Sequence, residues 1–511
     1  VSSPLGRIHA TRVCGRGLLR RSLASRLPAT ATIPVTAGLA FAGGAVPTLS
    51  SVAFAPPLLL CVSALAFLTP PQRTVCSDRF LRLNGLRGGK PLPALRTARM
   101  QDLPSVGSKR MRMDDAVKRS DGGDDATVEG LTLALEPQEE ALFELLMKVV
   151  ELKKLPCVLR VAGGWVRDKI MGKEAHDIDI AIDTMMGQEF TQHLVDYMKE
   201  TGREKEVGSV GVIKSNPDQS KHLETATLRV MGFELDFVNL RAEEYTDSRI
   251  PVMRIGTALE DAMRRDLTIN ALFYNINQCT VEDFTGQGIQ DIKDGRVRTP
   301  LAPNQTMIDD PLRALRTIRF ACRLGFKLDK ILEDTLATSE VRDALAAKVS
   351  KERVLTELNG MLLGPNPARA LTMLHSFQLA STVFSTPSAG VTPVDPESSA
   401  TLDQEWCDKG MAKVELVSAL SPLLLKKMFR CEEEVPMGEA MAKDWTRLLY
   451  LSAMLAPLRP FQIASKKKPE ALVEHVVRVS LKGTVKDGAD VLLFQDCAHE
   501  LLSLSHNDVA G

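Results

Sequence analysis

The sequence has no excess charge of either sign, because 64 Lys and Arg residues balance 64 Asp and Glu residues over 511 positions. Acidic residues and lysine are absent from residues 1–77, which contain seven Arg. The rest of the chain therefore carries a net charge of −7. A local basic patch would be needed to bind a polyanion such as RNA, because bulk charge would not steer it to this protein.

Paired cysteine motifs are also missing. The nine cysteines show no CxxC spacing, which argues against a zinc site and against a disulfide framework. We expect reduced thiols in an intracellular protein. The C-terminal half has no paired His–Asp metal signature, which argues against an appended phosphohydrolase domain. No internal repeat is visible, and the length allows two to four domains.

The longest uncharged segment does not suit a membrane span. Its dense apolar part, between Pro57 and Pro70, has about 12 residues against the roughly 20 needed to cross a bilayer. The acid-free, Arg-rich composition of residues 1–77 is typical of a mitochondrial transit peptide, with a two-part organelle address as the alternative. The first methionine is Met100, so a later start predicts a cytoplasmic and nuclear form. We expect residues 1–127 to be a leader and a disordered segment.

Hydrophobic periodicity predicts an α+β fold, with a mixed sheet and flanking helices followed by an all-helical remainder. The predicted domains are a catalytic head at 128–300, a helical neck at 301–365, and a helical body and tail at 366–511. Helices are expected at Leu131–Lys154, Gly187–Glu200 and from Asp310 onward, and strands at Cys157–Ala162, His176–Asp183 and Phe233–Leu240.

Asp177 and Asp179 are the first candidate catalytic residues. On a strand their side chains would share one face, about 7 Å apart along the chain. Such acids raise each other's pKa unless a cation lies between them, and Mg²⁺ suits hard oxygen ligands and substrate phosphates. The alternative is a strand with its acids facing water. A third carboxylate is expected from Asp236, with Glu234 as the fallback.

A phosphate-binding turn is predicted at Gly163 and Gly164, between a strand and a helix. Bare backbone N–H groups at such a turn can meet a phosphate, and Arg167 could reach the same group with its guanidinium. A tight turn without any ligand is the alternative.

The helix that begins near Asp310 has the clearest pattern in the chain. Pro311 fits the first helical position, which predicts Asp310 as the N-cap. One face carries arginines and the other carries the apolar residues expected to face the core. A solvated basic face is the alternative to a binding role. The arginines are Arg313, Arg316, Arg319 and Arg323, and the apolar residues are Leu312, Leu315, Ile318 and Leu324.

Five ordered motifs together resemble the class II CCA-adding tRNA nucleotidyltransferases, of the polymerase-beta-like nucleotidyltransferase superfamily. The resemblance covers roughly residues 140–365. The motifs are Arg160–Asp168 with His176–Ile180, Arg264–Leu272, Asp283–Ile292, Asp309–Arg316 and Ser350–Leu358. Residues 216–225 and 236–241 resemble the eukaryotic branch in particular.

The resemblance implies roles for specific residues. Arg264, Arg265, Asp266 and Asn270 match positions that bind the incoming nucleotide and its ribose, although Arg265 and Asp266 could instead form a structural ion pair. The resemblance assigns the reading of the CTP or ATP base edge to Asp310 and Arg313. It places Arg316 and Arg319 at nucleotide-binding positions, and we interpret Ser350–Val354 as structural support for this helix.

Together with the resemblance, these residues predict an enzyme that adds C, C and A to the 3′ end of tRNA from CTP and ATP, without a nucleic-acid template, by a two-metal nucleotidyl transfer that releases pyrophosphate. Asp177 and Asp179 would bind both Mg²⁺ ions, and Asp236 would help to position the metal at the attacking oxygen. Two alternatives stay open: a poly(A) polymerase or partial CC- or A-adding relative, and a non-catalytic tRNA-binding protein. A patch for the tRNA backbone is expected at Lys466–Lys468 with Arg478, Lys482 and Lys486.

Overall fold

The computed structural model describes residues 131–175, 177–213, 225–244, 252–428, 439–464 and 468–507. All of them fall in one unit of the chain, residues 54–511. The predicted leader at 1–127, His176, the stretch 216–224, Lys466 and Lys467 lie outside the described residues. Within these ranges we find no helix with the length and apolar character needed to cross a membrane.

Fourteen strands occur in the described residues, and most of them lie in the N-terminal part. They are β1 Leu159–Ala162, β2 Ile178–Ile182, β3 Val207–Ile213, β4 Thr225–Val230, β5 Phe233–Asn239, β6 Arg241–Glu244, β7 Val252–Ile255, β8 Phe273–Asn275, β9 Thr280–Glu282, β10 Arg296–Val297, β11 Lys327–Leu328, β12 Val391–Pro393, β13 Phe461–Ile463 and β14 Glu470–Ala471.

The α-helices become dense after residue 300. They are α1 Pro137–Leu152, α2 Gly164–Ile170, α3 Gly187–Glu200, α4 Ala258–Met263, α5 Gly288–Asp294, α6 Pro303–Asp309, α7 Leu312–Leu324, α8 Lys330–Leu336, α9 Ser339–Lys348, α10 Lys351–Leu362, α11 Pro367–Ser376, α12 Ala380–Val383, α13 Trp406–Met428, α14 Glu439–Leu455, α15 Leu472–His475 and α16 Val485–Asn507.

A seven-stranded mixed sheet forms the head, in the order β3-β4-β5-β2-β1-β8-β9. Only β2 and β5 run parallel, and all other neighbours in this sheet are antiparallel. Ile178, Ile180 and Ile182 of β2 are buried in the core, while Asp179 between them is exposed. The alternation read from the sequence therefore sets which face of this strand carries the acids.

The first helix begins six residues later than the periodicity predicted. Pro137 occupies the first turn of α1, where its missing N–H costs nothing. Glu139 accepts a hydrogen bond from the backbone N–H of Glu136 at 2.8 Å, which completes a capping box. The apolar residues before Pro137 continue the pattern without continuing the helix.

Helices dominate the remainder, as expected, so the α+β class is confirmed. The helical pattern is not continuous, because β12, β13 and β14 form a small antiparallel sheet. Residues 391–393 of this sheet fall in the part of the chain that was predicted to be all helical. Near the neck, α7 packs against α10 and α11 and ends at Gly325, which has a left-handed φ of 75°.

Candidate active site

The parallel pair β2 and β5 brings two of the predicted catalytic acids together. Asp179 and Asp236 are directly opposite each other in the register, and Asp177 comes immediately before β2. The Thr227 hydroxyl on β4 donates to Asp236 Oδ1 at 2.6 Å, which fixes that carboxylate. The fallback Glu234 lies two residues earlier on β5, opposite Arg229. The register therefore favours Asp236 as the third acid.

These acids repel one another. The side chain of Asp179 is exposed, yet the surrounding protein removes part of its hydration, which raises the pKa of its carboxyl. Asp236 and then Asp177 raise this pKa further, and Arg265 and Arg241 partly oppose them. A divalent cation would relieve the repulsion. The described residues contain no group of three His, Cys, Asp or Glu side chains placed to hold a metal ion.

The Gly163–Gly164 turn serves the protein as well as any ligand. Gly163 has a φ of +68°, and its N–H already donates to the Leu272 carbonyl at 2.8 Å. The prediction of a bare N–H is therefore wrong for Gly163, and only Gly164 is left to offer one. A Cβ at Gly163 would lie 2.6 Å from Nη1 of Arg265 and 3.1 Å from the Asn270 carbonyl. Glycine is required here because an arginine approaches the backbone.

Arg167 is buried and fully engaged. Its Nε and Nη2 donate to the two oxygens of Asp168, each at 2.8 Å, and its Nη1 donates to Asn270 Oδ1. Asn270 Nδ2 in turn donates to Asp266 Oδ1 at 3.1 Å. The predicted phosphate ligand is thus held by its neighbours, and it would contact a phosphate only by exchanging one of these partners.

Asp266 links the head to the neck. Its Oδ2 accepts from Arg316 Nε at 2.7 Å, across 50 residues of sequence. Arg316 also lies 3.8 Å from Glu357, which accepts from Arg319 Nε at 2.5 Å. Four residues predicted separately for the nucleotide site (Asn270, Asp266, Arg316 and Arg319) therefore belong to one polar network.

The alternative of an Arg265–Asp266 ion pair is wrong. Arg265 pairs instead with Asp261, through Nε at 3.0 Å and Nη2 at 2.8 Å. Arg264 binds the other oxygen of the same carboxylate and donates to Glu243 Oε1 at 2.8 Å. Each arginine is thus held in a fixed orientation by a buried acid.

Three acids were missed by the sequence reasoning: the buried Asp261 and Glu357, and the partly buried Glu243. A signal existed for Asp261, because it lies on α4 three and four residues before Arg264 and Arg265, which follow the helix, and side chains at that spacing meet on a helix. Glu243 and Glu357 had no local signal, because their partners are 21 or more residues away.

Two buried acids of the site, Asp261 and Asp266, have lowered pKa values. Burial alone would raise the pKa of Asp261, but Arg265 and Arg264 lower it below its usual range. Burial opposes ionisation of Asp266 in the same way, and Arg316 together with Asn270 brings its pKa down. The site is therefore held together by charged hydrogen bonds with little solvent screening.

Asp310 has the geometry predicted for an N-cap. Helix α7 spans Leu312–Leu324, and Pro311 before it already has helical dihedral angles, as a first helical position does. Asp310 follows α6 in an extended conformation, with a φ of −131° and a ψ of 97°, and its Oδ1 accepts from the Leu312 N–H at 3.3 Å. Its Oδ2 accepts from Arg353 Nη2 on α10 at 2.9 Å. The predicted supporting role of the Ser350–Val354 segment thus has a structural basis in Arg353.

The arginine face of α7 points largely into the protein. Arg313 is buried and donates to the Arg264 carbonyl at 2.7 Å, while Arg323 is exposed. The guanidiniums of Arg167, Arg316 and Arg319 all lie within 5.6 Å of the Phe320 ring centre. Such cation–π contacts fix side chains without consuming their hydrogen-bond donors. A fully solvated basic face is therefore wrong.

The predicted RNA-binding patch is only partly described. Arg478 pairs with Glu470 at 2.9 Å and Lys486 pairs with Asp490 at 2.5 Å. Lys482 has a left-handed φ of 61°, and Lys468 is exposed. Nothing in the described residues tests whether this patch contacts RNA.

Two family models match the chain. Residues 159–298 match the poly A polymerase head domain, and residues 330–389 match a "Probable RNA and SrmB- binding site of polymerase A". The first match contains the acid pair, the glycine turn and the Arg264–Asn270 segment. By sequence match and by fold, residues 159–298 are similar to the poly A polymerase head domain.

Three named relatives show which proteins the chain is most usefully compared with. The chain is 39% identical to the mitochondrial CCA tRNA nucleotidyltransferase of Saccharomyces cerevisiae over 363 residues, covering 68% of this chain and 66% of that protein. It is 49% identical to the mitochondrial CCA tRNA nucleotidyltransferase of Candida glabrata, covering 45% and 44%. It is 44% identical to the tRNA nucleotidyltransferase cca1 of Schizosaccharomyces pombe, covering 49% and 51%. The matching parts of the chain are thus similar to CCA-adding tRNA nucleotidyltransferases.

The similarity does not extend over whole relatives, because the chain spans less than two thirds of the length of each of these three proteins. A solved tRNA nucleotidyltransferase, complexed with a primer tRNA and an incoming ATP analog, covers 71% of this chain and 97% of its own at 22% identity, with a TM-score of 0.46. That likeness is too weak to support an argument. Nucleotidyltransferases of this family generally use divalent metal ions.

Proposed function

We propose that this protein adds C, C and A in sequence to the 3′ end of tRNA, using CTP and ATP and releasing pyrophosphate each time. The observation that carries the proposal is the pairing of Asp179 with Asp236 on parallel strands, in a segment that matches the poly A polymerase head domain. The relatives named for CCA addition support the same reaction.

The acids supply the metal site. Mg²⁺ held by Asp177 and Asp179 would help to deprotonate the attacking 3′-hydroxyl and neutralise charge on the leaving pyrophosphate. Asp236, fixed by the Thr227 hydroxyl, is the third carboxylate on the side of the attacking oxygen. Gly164, Arg167 and Arg265 would hold the triphosphate. The protein thus contributes mainly position and charge.

Base choice belongs to Asp310 and Arg313. A carboxylate accepts from the exocyclic amine of cytosine or adenine, and a guanidinium donates to ring or carbonyl acceptors. Uracil presents a carbonyl in place of the cytosine amine, so a carboxylate fixed by Arg353 would reject it. Asp266 and Asn270 would contact the ribose. Arg264, Arg316 and Arg319 would hold the ribose-binding side of the site in place.

The rest of the chain is proposed to bind the tRNA and to direct the protein to its cellular compartment. Residues 301–365 form the neck that carries the base-reading helix, and 366–511 form a body and tail that contact the tRNA. We propose a mitochondrial location, which the names of two relatives support, together with a cytoplasmic and nuclear form.

The acids provide the test of this reaction. Asp177→Ala and Asp179→Ala should each abolish addition of labelled CMP to a tRNA that ends at the discriminator base, without loss of tRNA binding measured by filter retention. Wild-type protein that binds this tRNA but adds nothing in the presence of Mg²⁺ would instead identify a non-catalytic tRNA-binding protein.

A further inference from the structure

Arg241 is an arginine that no predicted role accounts for. It begins β6, five residues after Asp236 along the chain, and pairs with Ile255 across the β6–β7 ladder. Its backbone N–H donates to Asp261 Oδ1 at 3.0 Å. The carboxylate that orients Arg264 and Arg265 therefore also fixes the main chain of Arg241.

Three arginines, Arg241, Arg264 and Arg265, converge on Asp261, and we call them the arginine cluster. Asp261 binds the side chains of Arg264 and Arg265, and Glu243 adds a further partner for Arg264. Within the described ranges, the Arg241 guanidinium has no hydrogen-bond acceptor and no carboxylate within ion-pair distance. The cluster thus has a cation whose charge is not matched by a contact.

The surroundings make this unmatched charge costly. Burial lowers the pKa of Arg241. The positive charges of Arg264 and Arg265 lower this pKa further, and the negative charges of Asp261 and Glu243 only partly compensate. A guanidinium retained under like-charge repulsion fits a group that has an anionic partner during function.

The position of Arg241 suggests which anion. Asp261, which accepts from the Arg241 backbone, also holds Arg265, and Nη1 of Arg265 lies 2.6 Å from the point that a Cβ of Gly163 would occupy. The arginine cluster therefore lies beside the predicted phosphate-binding turn. The proposed reaction brings only phosphates to this point: the triphosphate of the incoming nucleotide and the backbone phosphate next to the RNA 3′ end. A guanidinium can bind either with two parallel hydrogen bonds.

We propose that Arg241 is a phosphate-binding residue of the active site, and this rests on the nucleotidyl-transfer function proposed above. In both cases Arg241 would bind a phosphate oxyanion. The two sources of that phosphate are the nucleotide triphosphate and the RNA backbone, and they differ in which substrate binds more weakly when the guanidinium is removed. Asp261 acts as the positioning residue, because it holds the backbone of Arg241 and the side chains of its two neighbours.

Equilibrium binding separates the two sources. We expect Arg241→Gln to weaken binding of CTP and of inorganic pyrophosphate by about tenfold, as for loss of one charge-assisted contact, and to leave cytidine binding unchanged. The affinities of Arg241→Lys for CTP and pyrophosphate should lie between those of Arg241→Gln and those of the wild type. Weaker binding of tRNA alone would assign the phosphate to the RNA. Unchanged affinity for CTP, pyrophosphate and tRNA would overturn the proposal.

The matched control is Arg254→Gln, since Arg254 lies on the neighbouring strand β7 with an exposed side chain and should not affect these affinities. A measurement on wild-type protein covers the case in which Arg241→Gln does not fold. Pyrophosphate, or else a tRNA lacking its CCA end, should protect Arg241 from phenylglyoxal, as read by peptide mass spectrometry. Modification of Arg241 at equal rates with and without both ligands would contradict the proposal.

The assay also distinguishes failure of this proposal from failure of the function. Wild-type protein that adds no nucleotide to tRNA would refute the proposed reaction. Wild-type protein that adds C and A normally, while Arg241→Gln keeps full affinity for CTP, pyrophosphate and tRNA, would refute only the role of Arg241.

Discussion

Individual residues of the site carry functional requirements that oppose stability. Asp179 and Asp236 face each other in the register with no basic partner between them, so the carboxylates useful for a metal also repel in its absence. Gly163 is constrained by Arg265, and Arg241 is kept under like-charge repulsion. Such local conflicts are typical of active sites.

Asp179→Asn should stabilise the protein without metal while abolishing nucleotide addition. The folded-state pKa of Asp179 is raised, so its stabilising contribution is present below the ordinary value of 3.8 and is lost as pH rises through the folded value. Urea unfolding at pH 7 in EDTA should show a higher midpoint for the variant than for wild type. The exposed Glu204→Gln is the control and should leave the midpoint unchanged. A lower midpoint for Asp179→Asn would argue against like-charge repulsion at this site.

Gly163→Ala and Gly202→Ala form a matched pair for the glycine turn. Both have a positive φ, but at Gly163 a ψ of −110° also lies outside the left-handed α region that alanine can enter, and only Gly163 has neighbours within 4 Å of an added Cβ. Gly163→Ala should therefore lose more stability in urea and should also lower kcat/KM for CTP, because Arg265 must move. Equal losses for the two variants would show that the contact with Arg265 has no consequence.

At the scale of elements, the sequence was most informative where the pattern was local. The alternation in β2 and β5 and the bounds of α3 followed from periodicity, and Gly163–Gly164 followed from the strand-to-helix transition. The start of α1 was less predictable, because the apolar pattern begins at Leu131 and the helix begins only at Pro137. The pairing of β2 with β5, and so of Asp179 with Asp236, is a long-range choice that local periodicity does not encode.

Arg353 on α10 gives an element-level prediction for base choice. Its ion pair with Asp310 is partly exposed and should contribute less than about 1 kcal/mol to stability. Arg353→Met should nevertheless reduce the preference for CTP over UTP by about tenfold, since a carboxylate free to turn rejects a carbonyl less strictly. Lys351→Met, on the same first turn, should change neither quantity. A large drop in the unfolding midpoint with unchanged CTP preference would contradict this role.

At the scale of the whole molecule, one polar network joins the head to the neck. Arg167, Asn270, Asp266 and Arg316 connect α2 to α7 through hydrogen bonds of defined geometry, and Glu357 extends the connection to α10. Each of these residues except Glu357 was a candidate from the sequence, but their contacts with one another were not predictable, because they join segments up to about 100 residues apart. The sequence of the body and tail identified far fewer candidate functional residues, because helical periodicity there indicates which residues face the core but not which residues bind a ligand.

This network and the arginine cluster together predict the acid stability of the protein. Asp261 and Asp266 have lowered pKa values, so their stabilising contribution is present above the ordinary value of 3.8 and is lost as pH falls through the lower folded values. The free energy of unfolding should therefore drop below about pH 4. Asp261→Asn should cost about 3 kcal/mol at pH 7 and flatten this acid limb, because three donors lose their charged acceptor. An acid limb as steep as that of wild type in this variant would contradict the assignment.

Addition of nucleotides to a tRNA that ends at its discriminator base is the decisive test of CCA addition. CTP alone should extend the RNA by two residues, ATP alone should give almost no extension, and the two together should stop at three residues with the sequence CCA. We expect the extension to stop after CCA because protein side chains, Asp310 and Arg313, select each base in place of a nucleic-acid template. Long runs of A from ATP alone would contradict CCA addition and identify a poly(A) polymerase instead.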